Sequence, residues 1–137
     1  MLHLVIALLF ALADTGSNNY CDLGKSRSNI LEKMGKKLGD DVMVNCTLVL
    51  KARGNLTIED DDYTYVNSSY WPSIWTNELK WRKSTKKLPM GKIRQQNFKS
   101  FGCAWYLGAA DREMFNQVVQ NVTVTCVFRK DGGRQPR

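Results

Sequence analysis

VMVNCTLVL, residues 42–50, carries the clearest strand signal of the chain, because it is rich in valine and its apolar residues partly alternate. Two further segments alternate more fully, WTNELKW at residues 75–81 and NVTVTCVFRK at residues 121–130. Side chains along a strand point to opposite faces in turn, so each segment places its apolar residues mainly on one face. Short strands separated by turn clusters predict an all-β fold, either a β-sandwich or a barrel.

The segments between these strands are loops or short strands by their composition. Residues 14–29 are rich in Gly, Ser and Asn and predict a loop. Residues 29–38 (NILEKMGKKL) leave two interpretations open, a helical turn or a strand that leads into a turn. Residues 55–58 and 63–66 predict two short strands on either side of an acidic turn.

The N-terminus indicates export from the cell. Residues 2–13 are almost wholly apolar and end in Ala11-Leu12-Ala13, whose small residues are what signal peptidase accepts. The stretch is shorter than the roughly 20 apolar residues that a membrane span needs. We therefore predict a signal peptide over residues 1–13, one secreted domain over residues 14–130, and a disordered tail over residues 131–137.

The cysteine content agrees with export, because an even number of cysteines in a small secreted chain is typical of a disulfide framework. The cysteines are Cys21, Cys46, Cys103 and Cys126. They lack the close spacing of a zinc site, and the only histidine lies in the predicted signal peptide. We predict two disulfides, and the spacing alone leaves all three pairings open.

Four N-x-[ST] sequons, which are acceptors of N-linked glycans in the secretory pathway, support the same route. They begin at Asn45, Asn55, Asn67 and Asn121. Because a glycan needs a surface position, each sequon that is used marks an exposed site. The predicted product is therefore a secreted glycoprotein.

The formal net charge of +7 is unevenly distributed. Residues 80–99 contain eight Lys or Arg and no acid, whereas Glu59–Asp62 is a run of four acids. A basic surface attracts anionic partners through its long-range field. Outside the cell these are acidic receptor segments, acidic polysaccharides or lipid surfaces, and the compartment argues against nucleic acid. The predicted partner-binding residues are Arg82, Lys83, Lys86, Lys87, Lys92 and Arg94.

The residue content argues against catalysis. The predicted mature chain has no histidine, which removes Ser-His-Asp and Cys-His chemistry and most zinc hydrolases. The acids of Glu59–Asp62 point in different directions, unlike the two carboxyls that a glycosidase holds across a cleft. They also lack the ligand spacing of a calcium loop. The sequence predicts a binding protein that is not an enzyme and has neither a metal nor a cofactor.

The aromatic residues divide between a predicted core and a possible binding surface. Trp75, Trp81 and Trp105 are predicted to lie in the core. Tyr70-Trp71-Pro72, close to the sequon at Asn67, fits a core position and a partner surface equally well, because interfaces are enriched in aromatic residues.

Four motifs follow one another in order along the chain: VMVNCTLV, YTYVNSSYW, WTNELKW and GCAWYL. This series, within residues 29–108, resembles the plant self-incompatibility S-protein homologue family. Cys46 matches the family's first cysteine, Trp81 its strand-closing tryptophan, and Cys103-Ala-Trp105 its Cys-x-Trp motif. The chain departs from the family at Asn45, where histidine is usual, and at Asn77, where cysteine is usual.

The resemblance implies a fold, a disulfide pattern and a function. It implies a small secreted β-sandwich that is a ligand of a cell-surface receptor and acts by loop-mediated recognition. The implied disulfides are Cys46–Cys103 and Cys21–Cys126. The basic stretch after Trp81 would then face the receptor.

An immunoglobulin-like secreted domain is the main alternative. It would use Cys46–Cys126 as the bridge between its sheets and Trp81 as the core tryptophan. The run NVTVT before Cys126 lacks the tyrosine that such domains place two residues earlier. A secreted immune-modulating effector of similar shape is a second alternative.

Overall fold

The fold is mixed α/β, so the prediction of an all-β sandwich is wrong. A computed structural model describes residues 20–109, 112–114 and 116–130. The predicted signal peptide (1–13) and tail (131–137) lie outside the described residues. After a short 3-10 helix (Tyr20–Asp22), the helices are α1 (Lys25–Leu38), α2 (Cys46–Arg53), α3 (Asn77–Thr85) and α4 (Met90–Arg94). The strands are β1 (Met43–Val44), β2 (Tyr63–Pro72), β3 (Ser100–Leu107), β4 (Arg112–Met114) and β5 (Gln117–Arg129).

The strands form one mixed sheet in the order β1-β3-β5-β2, with β4 paired to the start of β5. The β1–β3 pair is parallel, and the other pairs are antiparallel. The central strand β5 contains residues 121–129 of the alternating segment, so that strand prediction is confirmed up to its last residue. Residues 63–66 belong to β2, as predicted, but residues 55–58 form no strand. No described helix is long and apolar enough to cross a membrane.

The segment at residues 42–50 is mostly a helix because Asn45 caps it. The Asn45 side-chain oxygen accepts hydrogen bonds from the backbone amides of Thr47 (2.8 Å) and Leu48 (3.4 Å). An asparagine in this position satisfies amide groups that the first turn of a helix leaves unpaired. Only Met43–Val44 is a strand. The valine-rich pattern predicted a longer strand, but the capped helix forms in its place.

The alternating segment at residues 75–81 is also helical over most of its length, for the same reason. The Thr76 hydroxyl accepts a hydrogen bond from the Leu79 amide (3.2 Å), and Glu78 lies in the first helical turn. A carboxylate in this position interacts favourably with the helix dipole. The helix α3 therefore replaces the predicted strand.

The core lies on one face of the sheet, which we call the core face. It contains Phe101, Cys103 and Trp105 of β3 and Val124, Cys126 and Phe128 of β5, all buried. Apolar residues of the helices cover them. The helical contribution includes Ile30, Leu31, Met34 and Leu38 of α1 and Ile93 of α4. Residues 29–38 are thus helical, which settles the alternative that the sequence left open.

Helix α2 packs against the other face, which we call the outer face, at Gly102. A Cβ atom on Gly102 would lie 2.3 Å from the Val49 amide nitrogen, so only glycine permits this approach. Val127, the partner of Gly102 on β5, is fully buried there. The helix is short, and other residues of the outer face, such as Val66 and Tyr106, are exposed.

The two predicted disulfides are present, but the pairs implied by the family resemblance are wrong. The bonds are Cys21–Cys46 and Cys103–Cys126. Cys103 and Cys126 lie directly opposite each other on β3 and β5, so the sheet register decides this pair. Cys46 starts α2, which contacts the 3-10 helix that contains Cys21. The Cys46–Cys126 bridge of the immunoglobulin-like alternative is likewise not formed.

Candidate functional site

Helices α1 and α3 each present a row of polar side chains to the space between them. Lys33 and Lys37 are four residues apart on α1, and Arg82 and Lys86 have the same spacing at α3. Residues four apart on a helix lie on the same face, one turn above the other. Two pairs of cationic side chains therefore line one space.

This space is a groove of about 350 Å³, which we call the basic groove. The Ser26 hydroxyl on α1 donates to the Glu78 carboxylate on α3 (3.3 Å) and so links the two helices beside it. Its apolar part comes from Ile30 and Met34, both buried, and from the half-buried Met90. Among the described residues, its lining consists of Ser26, Asn29, Ile30, Lys33, Met34, Lys37, Glu78, Arg82, Thr85, Lys86 and Met90.

The basic groove has an excess of positive charge that the described part of the chain does not neutralise. Four cations face it, against the single carboxylate of Glu78. All four cations are exposed, and within residues 20–109, 112–114 and 116–130 none has a carboxylate within ion-pair distance. Converging cations without counter-charges raise the local positive potential and attract anions.

The six predicted partner-binding residues do not form one site. Arg82 and Lys86 line the basic groove. Lys83 and Lys87 are absent from its lining, and the Lys87 ammonium lies 5.7 Å from the centre of the Trp71 ring. The last two, Lys92 and Arg94, are exposed on α4, which contributes only Met90 to the groove.

Two further cations of the basic stretch have partners within the described part of the protein. Lys80 is buried and donates to the Ser73 carbonyl (3.0 Å) and to the Gln120 side-chain oxygen. Lys99 forms an exposed ion pair with Asp41 (2.7 Å). The positive charge of residues 80–99 is therefore divided among several surfaces and one buried position.

Two cations that complete the basic groove, Lys33 and Lys37, were not among the predicted binding residues. The available signal was their spacing, since residues four apart share a face only if the segment is helical. The helix was one of two interpretations of residues 29–38, and the charge analysis considered residues 80–99 alone. Tertiary contact between α1 and α3 then joins two basic segments that lie far apart in the chain.

The acidic run at residues 59–62 forms part of a second charged site, which we call the ion cluster: Lys51, Glu59, Asp61, Asp62 and Arg129. The fully buried Asp62 carboxylate accepts hydrogen bonds from the Lys51 ammonium (2.8 Å) and from the Glu59 amide (2.7 Å). Arg129 forms ion pairs with both Asp61 and Asp62. The acids thus anchor a turn to α2 and β5.

The environment of Asp62 favours its charged form. Burial raises the pKa of Asp62. Hydrogen bonds from Lys51 and the Glu59 amide, together with the charges of Lys51 and Arg129, lower the pKa by more than burial raises it. The net pKa lies below the ordinary value of an aspartate. Asp62 is therefore ionised, and the positive charges of Lys51 and Arg129 balance its negative charge.

The ion cluster fits a structural role better than a metal site. Ligand atoms of Glu59, Asp61 and Asp62 lie within 4.8 Å of one another, a spacing that a cation can bridge. Two cationic side chains already share the same carboxylates, at Lys51 and Arg129. A calcium ion would have to displace these cations or be repelled by them, since like charges disfavour one another at this distance.

The four sequons lie in different environments. Asn45 is 3% exposed and caps α2, so we expect it to carry no glycan. Asn55 is exposed in the loop after α2. Asn67 lies on the edge strand β2, and Asn121 lies in the middle of β5; both are half-buried.

The tryptophans only partly follow the core prediction. Trp105 is buried, and its indole donates to the Thr85 hydroxyl (2.9 Å). Trp81 is half-buried and packs against the core. Trp75 lies outside the core cluster and stacks on Trp71, with ring centres 5.5 Å apart.

Comparisons of the chain with protein-family models, with curated proteins and with solved structures found no match. Of the two charged sites, the basic groove is the one whose charges lack partners among the described residues.

Proposed function

We propose that the chain is a secreted, disulfide-stabilised binding protein whose basic groove holds an acidic segment of a cell-surface protein. The observation that supports this proposal is the convergence of Lys33, Lys37, Arg82 and Lys86 on one groove with little counter-charge. The protein acts as a ligand of a receptor in extracellular signalling and performs no chemistry on it.

An acidic polypeptide suits the groove because the lining is both cationic and apolar. Carboxylates accept charge-assisted hydrogen bonds from lysine, and an arginine such as Arg82 can bind one in a bidentate manner. Met34 and Met90 offer flexible apolar contact for an aliphatic side chain beside the acids. A sulfated polysaccharide matches the charge but leaves this apolar part unused.

The receptor-ligand role is the one that the S-protein resemblance implies, but the proposal does not depend on that family. The family implies a β-sandwich, and this chain has a mixed sheet with helices on both faces. Support for secretion comes from the two disulfides together with the N-terminal sequence and the sequons. Support for recognition comes from the groove.

The test is a binding titration with the full chain secreted from eukaryotic cells. The probe is a fluorescent ten-residue peptide of alternating Glu and Leu, and the neutral control peptide alternates Gln and Leu. The account predicts that only the acidic peptide binds and that its affinity falls as salt is added. R82Q/K86Q should weaken binding by about tenfold or more.

The variant K92Q/R94Q removes the same charge from the exposed surface of α4 and is the matched control. It should leave the affinity almost unchanged. Equal losses in both variants would mean that net charge, not the groove, governs binding. Tighter binding of a heparin oligosaccharide than of the peptide would replace the acidic polypeptide with a sulfated glycan as the partner.

A further inference from the structure

Part of the outer face is an exposed sheet surface with aromatic residues. Tyr106 is 69% exposed, Val66 58% and Tyr70 40%. Tyr106 lies opposite Thr123 of β5, and Tyr70 lies opposite Asn121. Helix α2 packs on this face at Gly102 and leaves these three side chains exposed. Large apolar side chains that share an exposed surface indicate that something covers them.

The sequon Asn121-Val-Thr lies within this surface. Tyr70 is its direct neighbour on β2, and Tyr106 is the diagonal neighbour of Asn121 on β3. Cross-strand neighbours of both kinds lie within reach of a large side chain. On the remaining side is Gly108, where an added Cβ would lie 3.5 Å from the Cβ of Asn121. Glycine leaves free space beside the asparagine at this point.

We propose that Asn121 carries an N-linked glycan whose first sugars lie on the outer face and cover Tyr70 and Tyr106. The donor is an oligosaccharide joined to a lipid diphosphate. The Asn121 side-chain nitrogen keeps one N–H, which donates to the Ser69 carbonyl (3.3 Å), loses its other proton to water and bonds to the anomeric carbon of the first N-acetylglucosamine. The bond between that carbon and the diphosphate oxygen breaks, and the diphosphate leaves with its electron pair.

The chemistry of the surface matches a sugar better than an apolar partner. Rings of Tyr70 and Tyr106 offer apolar contact to the C–H groups of a sugar ring. Between them lie hydroxyls, including the Ser68 and Thr123 pair, whose oxygens are 2.7 Å apart. A covalently attached glycan also needs no separate binding event, because its attachment point lies on the surface that it covers.

This inference rests on the secretory route of the proposed function and not on its basic groove. Asn45 cannot offer the same arrangement because it is buried. Asn55 lies in a loop, outside the sheet that presents the two tyrosines. Asn67 lies opposite Val124 and therefore on the core face, away from the two tyrosines. Among the four sequons, the structure therefore singles out Asn121 for a glycan that packs on the protein.

The test combines glycopeptide mapping with thermal unfolding of the full chain secreted from eukaryotic cells. Mapping should find a glycan on Asn121. N121Q should lower the Tm by about 3 °C in the natural sequence. In a Y106S background the same change should lower it by less than about 1 °C, because the glycan has lost its contact. Tyr106 is exposed, so Y106S should fold.

The control is N55Q, which removes a sequon in a loop and should have the same effect in both backgrounds. An Asn121 without glycan, or equal Tm losses for N121Q in both backgrounds, would overturn the inference. Which sequons carry a glycan distinguishes a failure of this inference from a failure of the proposed function. Glycans on other sequons with a bare Asn121 would sink this inference alone, whereas no glycan anywhere would also remove the secretory route.

Discussion

The ion cluster and the basic groove contain similar residue types but use them in opposite ways. In the ion cluster, the buried Lys51 and the half-buried Arg129 are matched by neighbouring carboxylates. In the basic groove, four exposed cations face one carboxylate, Glu78. A charged run in the sequence therefore does not by itself reveal its role. The partners that each charge finds in the fold decide whether it stabilises the protein or remains available to a ligand.

The largest expected effect on stability is at Asp62. D62A leaves the Lys51 ammonium buried, with Glu59, 3.9 Å away, as its remaining ion-pair partner among the described residues. Breaking a buried pair by removing one partner is strongly destabilising, and we expect a loss of about 3 kcal/mol in the free energy of unfolding. Denaturant titration measures it. D60A removes an exposed acid of the same turn and should have almost no effect. A loss for D62A as small as that for D60A would contradict a structural role for the ion cluster.

The second largest loss of stability is expected at Gly102, where the backbone of α2 packs on the sheet. The same helix carries Lys51 of the ion cluster. G102A places a methyl group against the α2 backbone, 2.3 Å from the Val49 amide nitrogen and 2.7 Å from the Leu48 carbonyl carbon. Moving the helix away from the sheet should cost about 2 kcal/mol. G91A, on α4, meets no atom within 4 Å and is the matched control in chemical denaturation. If both variants were equally stable, α2 would not pack on the sheet as described.

The stability of the ion cluster should also depend on pH. The pKa of Asp62 is lowered in the fold, so its contribution is complete above the unfolded-state pKa of about 3.9. It is lost as the pH falls through the still lower pKa of the folded state. Thermal unfolding between pH 7 and pH 2 should therefore show a fall in Tm at the acid end. D62N should show a shallower fall, and an unchanged acid dependence in D62N would assign the effect to other carboxyls.

The smallest stability effect is expected at the exposed pair of Asp41 and Lys99. Exposed ion pairs contribute little because water and salt screen them and the side chains lose freedom. D41A should leave the free energy of unfolding unchanged within the error of denaturant titration. A loss as large as that of D62A would show that burial is not what separates structural charges from exposed ones in this protein.

The sequence predicts the centre of the sheet better than its surroundings. The strand at residues 121–130 was identified because Val122, Val124 and Cys126 alternate with threonines, and β5 follows this pattern. The segments at residues 42–50 and 75–81 show similar signals but are largely helical. There a single capping side chain, Asn45 or Thr76, satisfies the first turn and outweighs the apolar pattern.

The disulfides and the basic groove show where prediction from sequence stops. The number of bonds followed from the number of cysteines, but the pair Cys103–Cys126 follows from the register of β3 on β5. Arg82 and Lys86 were predicted from charge, whereas Lys33 and Lys37 join them only because α1 packs beside α3. Both features depend on contacts between segments distant in sequence, which local patterns do not encode.

The most direct test of the groove compares two variants that lose the same charge. K33Q/K37Q removes the cations that only the fold brings to the groove, and K92Q/R94Q removes two that the sequence predicted but the fold places elsewhere. Fluorescence anisotropy with the acidic Glu/Leu peptide gives the Kd of each. We predict that K33Q/K37Q weakens binding by about tenfold while K92Q/R94Q has little effect. An unchanged Kd for K33Q/K37Q, or an equal loss in both, would contradict the assignment of binding to the basic groove.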